Sequence, residues 1–516
     1  MAFAAVIVSA LVYSLSYPSS ISTLGFASGG WLFAIPFLLV LRGKPLKQRL
    51  WLGALWGFVA YGVHAASIMP ISLVGWLAFV LSLTIQPILF AALCRRCQQD
   101  VPTFSARVRA LFYIPSAWAA SEFCRNCFLG AFTWSLADSQ AWHPSMIQAA
   151  QFGGVYAVSW IMMFVNAALY FWISGRASGQ AGKRTYLFML AAVTAFSLNL
   201  IGGACIVSVF VRPESGVVRL ATIQANISKR DKMDPKKYDD NVARHLIQTK
   251  KALINAWPDL IVWPETALSV DIMKDIKWGS RIYGLAGQDN TSFLFGTVRY
   301  EEEEYYNSVL LLSPVSGWRE EYHKKKLVPF CEYPLLAGVH PFFKTWSAFC
   351  FLSGTRSGIM DLDAGFARSF KPAVRFGTAL CSEEAYPGLF RDMARQGAGF
   401  FVVLLNDGWF TWPESFRIHA AMGALRAVET GRPYIRAANS GLTIAFDGHG
   451  RVINGKAPIL FSEGYGLFDI SPRYVDTWYV RFGDIFAWLC VIFVIISIGV
   501  RVSLKRRRKY PECTSS

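Results

Sequence analysis

An uncharged apolar stretch of about 17 to 25 residues is long enough to cross a bilayer's hydrocarbon core as a helix, and this chain repeats that pattern. Seven such stretches precede residue 212, near 2–17, 21–41, 50–69, 71–94, 108–127, 147–174 and 185–211, and an eighth lies near 478–500. Backbone in lipid must satisfy its own N–H and C=O groups, so these stretches predict an all-α membrane part of eight helices. Composition agrees: 53% of the 516 residues are hydrophobic and only 16% are charged, too apolar for a soluble protein of this length. The first stretch has no basic residue ahead of it, which favours an uncleaved span over a cleaved signal peptide.

A net charge of +17 would fit nucleic-acid binding if the charge were gathered on one folded surface. It is not. Arg42, Lys44, Lys47 and Arg49 follow the second stretch, Arg95, Arg96, Arg107 and Arg109 the fourth, and Arg176, Lys183 and Arg184 the sixth. Arg501, Lys505, Arg506, Arg507, Arg508 and Lys509 follow the last, whereas the turns Ser16 to Ser22 and Ala65 to Gly75 carry none. The positive-inside rule places these basic segments in the cytoplasm. Both termini are then cytoplasmic, and residues 213–477 lie outside. The expected plan is a membrane domain over 1–212 with seven helices, an extracytoplasmic domain over 213–477, and an eighth helix with a basic tail over 478–516. No nucleic-acid partner is expected.

Cys94/Cys97 and Cys124/Cys127 have the spacing of a four-thiolate zinc site, but this topology puts the pairs on opposite sides of a core about 30 Å thick. A Cys124–Cys127 disulfide stays open beside the plainer reading, small apolar residues at span ends. Cys513 lacks a prenylation context. The histidines are scattered and no Gly-rich phosphate loop is present, so neither metal nor cofactor is expected.

Beyond Gly216 the long apolar runs give way to short ones. Val217 to Gln224, Leu260 to Trp263, Ser292 to Val298, Ser308 to Leu312, Val374 to Leu380, Gly399 to Leu405, Tyr434 to Ala438 and Leu442 to Phe446 read as strands. Helical spacing marks Tyr238, Val242, Leu246, Ala252 and Leu253, and again Ser415 to Thr430, with Ile418, Met422 and Leu425 on one side. Strands alternating with helices predict a layered α/β domain.

Three segments join ionisable residues to apolar strands. Glu265 ends Ile261-Val262-Trp263-Pro264-Glu265. Lys324, Lys325 and Lys326 precede Leu327-Val328-Pro329-Phe330-Cys331-Glu332. Cys381 follows the strand Gly377-Thr378-Ala379-Leu380 and opens an expected helix that continues to Gln396. Singly, each has a dull reading: a turn carboxylate, a solvated lysine face, a packed small residue.

Together, in this order and spacing, they resemble the Glu, Lys and Cys of the nitrilase superfamily. Asn406-Asp407-Gly408-Trp409-Phe410 and the run from Arg426 to Pro433, leading to Arg436, agree with it, and the likeness spans 217–470. A nitrilase domain set after seven spans and before an eighth is similar to the membrane-bound branch, the apolipoprotein N-acyltransferases. Tyr306-Asn307-Ser308, the Cys-x-Glu of Cys381/Glu383, and Glu122 to Tyr156 in the membrane part fit that branch. The resemblance implies an αββα sandwich outside the membrane, with Glu265, Lys324 and Cys381 catalytic and Glu332, Glu383, Ser382, Tyr306 and Asn307 in support. It selects Lys324 from the three lysines. Three departures stand out: Cys331 where the family has Gly, Met233 near a usual Trp, and Ser382 where an aromatic is common. Cys331 is a rival thiol, but it lacks the strand-end placement of Cys381.

The implied reaction is acyl transfer from a phospholipid, such as phosphatidylethanolamine, to the α-amine of a diacylglyceryl-apolipoprotein, through a Cys381 thioester. The implied setting is a bacterial inner membrane, with the catalytic domain on the periplasmic side and the protein a monomer. A helix start and Lys324 beside Cys381 would favour thiolate, with Glu265 as base, while Lys324 and a backbone N–H near Ser382 would meet the oxyanion. The apolar run Phe342, Phe343, Trp346, Phe349, Phe351 is expected to dip into the outer leaflet and guide lipid tails; packing as a core segment is the alternative. Two rivals stay open: an extracytoplasmic amidase or nitrilase, and a transport or scaffold protein with an inactive outer domain. Against the transporter, charged residues are expected to be lacking deep in the spans, where transporters usually use them for coupling.

Overall fold

The computed structural model describes residues 1–19, 21–98, 103–129, 134–177, 182–209, 216–329, 331–333, 350–363, 373–409 and 412–509. Helices occupy Ala2–Leu15, Ala34–Leu41, Leu46–His64, Leu73–Gln98, Phe104–Leu129, Ala150–Ala177, Lys183–Ser208 and Ile485–Lys509. Three of these, over Leu73–Cys94, Ala150–Ala177 and Lys183–Ser208, have the length and apolarity to cross a membrane. Shorter apolar helices cover Ala2–Leu15, Ala27–Leu41 and Ile485–Val500.

Where the apolar stretches predict unbroken helix, backbone packing interrupts it. The stretch from residue 21 is helical only from Ala27, because the chain turns at Gly25, φ +77, where an added Cβ would sit 2.4 Å from the Ser16 carbonyl oxygen. Inside Ala150–Ala177 the chain leaves helical geometry at Gly153 and Gly154, the latter at φ +65. The last stretch begins as the short helix Trp478–Phe482, and the long helix starts only at Ile485. Cys124 and Cys127 are free thiols, so no disulfide joins them. Charge does enter the bundle: Glu122 and Arg125 are buried in Phe104–Leu129, and the guanidinium donates to Tyr61, Gln86 and the Trp134 carbonyl.

Residues 218–470 contain two sheets. One has strand order β11-β1-β2-β3-β4-β5, with β1 Val218–Gln224, β2 Leu260–Leu268, β3 Ser292–Glu301, β4 Glu304–Ser313, β5 Gly317–His323 and β11 Gly464–Ile470. The other has order β10-β9-β8-β7-β6, with β6 Ile359–Leu362, β7 Val374–Leu380, β8 Phe401–Leu405, β9 Tyr434–Ala438 and β10 Ile444–Phe446. Between them lies a layer containing Leu220, Leu260, Val262, Leu294 and Leu311 from the first sheet and Phe376, Leu380, Val402, Leu404 and Ile435 from the second. Helices Tyr238–Ala256 and Ile276–Asp289 cover the outer face of the first sheet. Pro387–Arg395 and Pro413–Thr430 cover that of the second. The result is a nitrilase-like αββα sandwich.

Pro413–Thr430 departs from the one-sided pattern its sequence predicts. From Ser415 to Thr430 every residue except Arg417 is buried, because one side packs on β9 and the other on the membrane helix Ala150–Ala177. At that junction the Glu429 carboxylate accepts the Val155 N–H at 3.0 Å, just after the break at Gly153 and Gly154. Pro413–Thr430 therefore links the sandwich to the apolar helix Ala150–Ala177.

Candidate active site

Glu265 does not lie past the end of its strand, as the sequence predicts, but within β2. Pairing of β2 with β3 slips between Trp263 and Leu268, and Thr266 takes a left-handed φ of +44. Gly296 on β3 accommodates this irregularity: a Cβ there would stand 2.6 Å from the Pro264 oxygen and 2.7 Å from the Glu265 Cα. Lys324 follows β5, a strand the sequence reading lacks, and its N–H donates to the Asn307 carbonyl at 2.8 Å.

The two side chains meet in a buried cluster. Lys324 Nζ donates to Glu332 Oε1 at 2.8 Å and to Glu265 Oε1 at 3.3 Å, and Asn307 Nδ2 donates to the same oxygens at 3.1 and 2.9 Å. Glu332 Oε2 accepts the Val328 N–H at 2.8 Å. Lys324 is 1% exposed. Burial pulls its pKa down, but Glu332 and Glu265 hold it well above the ordinary lysine value, so it stays an ammonium.

Cys381 follows β7 directly and takes φ +46, a strained conformation for a residue with a Cβ. Glu265, Lys324, Asp407 and Glu332 act on its thiol electrostatically, so the three expected catalytic residues come together at one place. Burial and then Glu265 push the thiol well above its ordinary pKa, and Lys324 offsets only part of this. The expected helix start is also absent: a 3-10 turn covers Cys381–Ala385, and helix begins at Pro387. The helix dipole expected to favour a resting thiolate is therefore not there, and burial favours the neutral thiol.

The sandwich and the apolar helices each match a known family. Residues 219–479 match the carbon-nitrogen hydrolase family, and residues 9–168 match the apolipoprotein N-acyltransferase N-terminal domain. The chain belongs to the apolipoprotein N-acyltransferase family, among the carbon-nitrogen hydrolases. It is similar to the apolipoprotein N-acyltransferase of Geobacter metallireducens, 29% identical over 525 residues, covering 98% of this chain and 95% of the relative. The Thermotoga maritima relative of the same description is 24% identical over 504 residues, covering 93% and 91%. A nitrilase-superfamily crystal structure from Saccharomyces cerevisiae is similar at TM-score 0.37 and 16% identity, over 53% of this chain and 97% of that one.

In this N-acyltransferase the remaining expected residues divide. Glu383 is a brace: Oε1 accepts the Tyr322 hydroxyl at 2.7 Å and the Lys325 and Lys326 N–H groups at 2.8 and 3.0 Å, while Oε2 accepts the Leu380 N–H at 2.8 Å. One carboxylate thereby ties the lysine segment to the strand carrying Cys381. Replacing Glu383 by Ala leaves three N–H groups and a buried hydroxyl without that acceptor, and is expected to destabilise the protein by about 2–4 kcal/mol, read as a lower thermal midpoint. Ser382 is buried beside Cys381. Asn307 enters the cluster, but Tyr306, its neighbour along a pleated strand, faces the other way and stacks on His323 with ring centres 4.4 Å apart. Phe342, Phe343, Trp346 and Phe349 lie outside the described residues. Phe351 is buried, and its N–H donates to the Glu332 carbonyl at 2.9 Å. Cys331 lies beside the same charges, its thiol raised by burial and then by Glu332.

Sequence reasoning gave no role to a second buried set behind Cys381. Arg436 donates to Glu384 and, at 3.1 Å, to Asp407; His419 pairs with Glu384 at 2.9 Å and with Asp407 at 3.2 Å; the Tyr434 hydroxyl donates to Glu384 at 2.8 Å. A charged residue in an otherwise apolar strand, Arg436 in Tyr434–Ala438, was the available signal. Glu301, Glu321 and His323 also converge, but the Arg299 guanidinium already pairs with both carboxylates.

Proposed function

We propose that the protein transfers an acyl chain from a phospholipid, such as phosphatidylethanolamine, to the α-amine of the N-terminal diacylglyceryl-cysteine of apolipoproteins. The carrying observation is the buried Glu265–Lys324–Glu332 cluster acting on the strand-end thiol of Cys381. Glu265 takes the Cys381 proton as the sulfur attacks the ester carbonyl, and the Lys324 ammonium faces the oxyanion. Collapse expels the lysophospholipid oxygen, which leaves with the proton from Glu265, and a thioester is formed. The acceptor amine then attacks this thioester, Glu265 takes the amine proton, and that proton returns to the departing Cys381 sulfur. An ammonium cannot attack, so the amine must arrive neutral.

Both substrates are lipids, which accounts for a hydrolase-like domain joined to apolar helices. The proposed arrangement is eight crossings of a bacterial inner membrane, both termini cytoplasmic, residues 213–477 on the periplasmic side, and a monomer. Domain limits at 1–212, 213–477 and 478–516 belong to this reading. Its test is mass spectrometry of protein purified from membranes and given phosphatidylethanolamine. The expected result is a fatty-acyl mass on the peptide containing Cys381, stoichiometric release of lysophospholipid, and loss of both in Cys381→Ser. Lysophospholipid release that persists in Cys381→Ser, or amine release without any lysophospholipid, would overturn it.

A further inference from the structure

The cluster around Cys381 carries unequal charge. Glu265 on β2 and Glu332 in the turn before Tyr333 are two carboxylates, answered by the single ammonium of Lys324. The second buried set does not correct this, because Asp407 and Glu384 are already matched by Arg436 and His419. Glu383, on the turn that Cys381 opens, is committed to the Tyr322 hydroxyl and three backbone N–H groups. Attack moves a proton from sulfur to Glu265, so negative charge relocates onto Cys381 while Glu332 stays close. A second cation is needed for the site to stay near neutral.

Lys232 is placed to be that cation. It lies on the short helix Lys229–Met233, and its Nζ donates to the main-chain oxygen of Glu265 at 2.8 Å. The segment is tied down from several directions. The Ser228 hydroxyl accepts the Asp231 N–H at 3.0 Å, and Asn241 Nδ2 donates to the Asp231 carbonyl at 3.0 Å. Asn439 pairs with both the N–H and the carbonyl of Ile227 at 3.0 and 2.8 Å, which joins the segment to the bend that follows β9. The ammonium is therefore a fixed part of the site. Burial lowers its pKa to about 8, while Glu265 and Cys381 act in the opposite direction.

We infer that Lys232 is a further positioning residue of the acyl-transfer reaction, the second cation that balances Glu265 and Glu332 while Cys381 is ionised. The inference rests on the reading of Cys381 as the nucleophile. It does not need the acceptor to be a lipoprotein.

The test is the pH profile of Cys381 alkylation by iodoacetamide in the full-length protein in detergent, followed on the Cys381 peptide so that Cys331 is read separately. Four proteins are compared: the wild type, Lys232→Met, Lys232→Gln and Lys232→Arg. Loss of the charge is expected to lower alkylation near pH 7 by about tenfold in the Met and Gln variants, the equivalent of about one pKa unit, with Arg restoring most of it. Gln keeps a hydrogen-bond donor without charge, so a merely structural tether predicts recovery in Gln as well as Arg. A Met variant that alkylates like the wild type, equal recovery by Gln and Arg, or no recovery by Arg overturns the inference. Lysophospholipid release is measured in parallel on the wild type. A charge-dependent alkylation pattern without that release would overturn the proposed donor and leave the role of Lys232 standing.

Discussion

Glutamine at position 265 is expected to slow acylation of Cys381 by about 10²–10⁴-fold, the range a well-placed general base contributes. The substitution keeps the side chain's length and shape, and an amide oxygen can still accept from Asn307 Nδ2, which now donates to Glu265 Oε1 at 2.9 Å. What disappears is the proton acceptor for a thiol that burial holds well above its ordinary pKa. A thiol already ionised at rest would scarcely notice the change. The measurement is the rate of acyl-enzyme formation by rapid quench and mass spectrometry, beside the thermal midpoint. A rate within tenfold of the wild type would mean that another group takes the proton.

Lys324→Met would be a poorer probe of the same chemistry. It leaves Glu265 and Glu332 sharing a buried site without the ammonium that bonds both. Two close carboxylates of that kind cannot both stay ionised, so the variant would gain a proton, lose stability and lose oxyanion stabilisation together. The neutral swap at Glu265 separates proton transfer from folding because Lys324 keeps Glu332.

Cys381 was legible because it follows the apolar strand β7, and Glu265 because a carboxylate interrupts the apolar run of β2, whereas Lys324 follows the charged strand β5 and was picked out by the family resemblance alone. What was missed follows from physical causes of other kinds. Strand β5 reads Gly-Trp-Arg-Glu-Glu-Tyr-His and stands at the edge of its sheet, where charge is tolerated and apolar alternation is weak. β6 is only four residues long, and β11 carries glycines at two of its first three positions. The helix expected from Cys381 overlooked Pro387, which favours the first helical turn and pushes Tyr386 into extended backbone, φ −106 and ψ 93. Lys232 stands in a run of basic residues from Lys229 to Lys237 that reads as a solvated face. Only the fold brings its ammonium to the Glu265 carbonyl.

Removing Arg436 is expected to produce the largest loss of stability available outside the apolar core. Arg436, Glu384 and Asp407 are fully buried and His419 is 4% exposed, so the set depends on its own charge balance of two cations and two carboxylates. Arg436→Met leaves two buried carboxylates against one imidazolium, and breaking such a set from one side costs about 3–5 kcal/mol. The pH dependence should move in the opposite sense from the stability. Burial lowers the His419 pKa, but Glu384 and Asp407 raise it to about 9, while Arg436 opposes them. Because the folded value lies above the unfolded 6.5, the His419 contribution is complete below about pH 6.5 and is lost as pH rises through about 9. Without Arg436 the histidine binds its proton more tightly, so the alkaline loss, still starting near the unfolded 6.5, should extend to higher pH in a protein that is less stable throughout. His419→Gln should remove that alkaline slope. Thermal midpoints across pH 6 to 10 for the three proteins check all of this, and an alkaline limb unchanged in Arg436→Met would show that the two cations do not share the carboxylates. Asp407 also acts on Cys381, so with its guanidinium partner gone it would make the thiol harder to ionise, and Cys381 acylation should fall even at temperatures where the variant is fully folded.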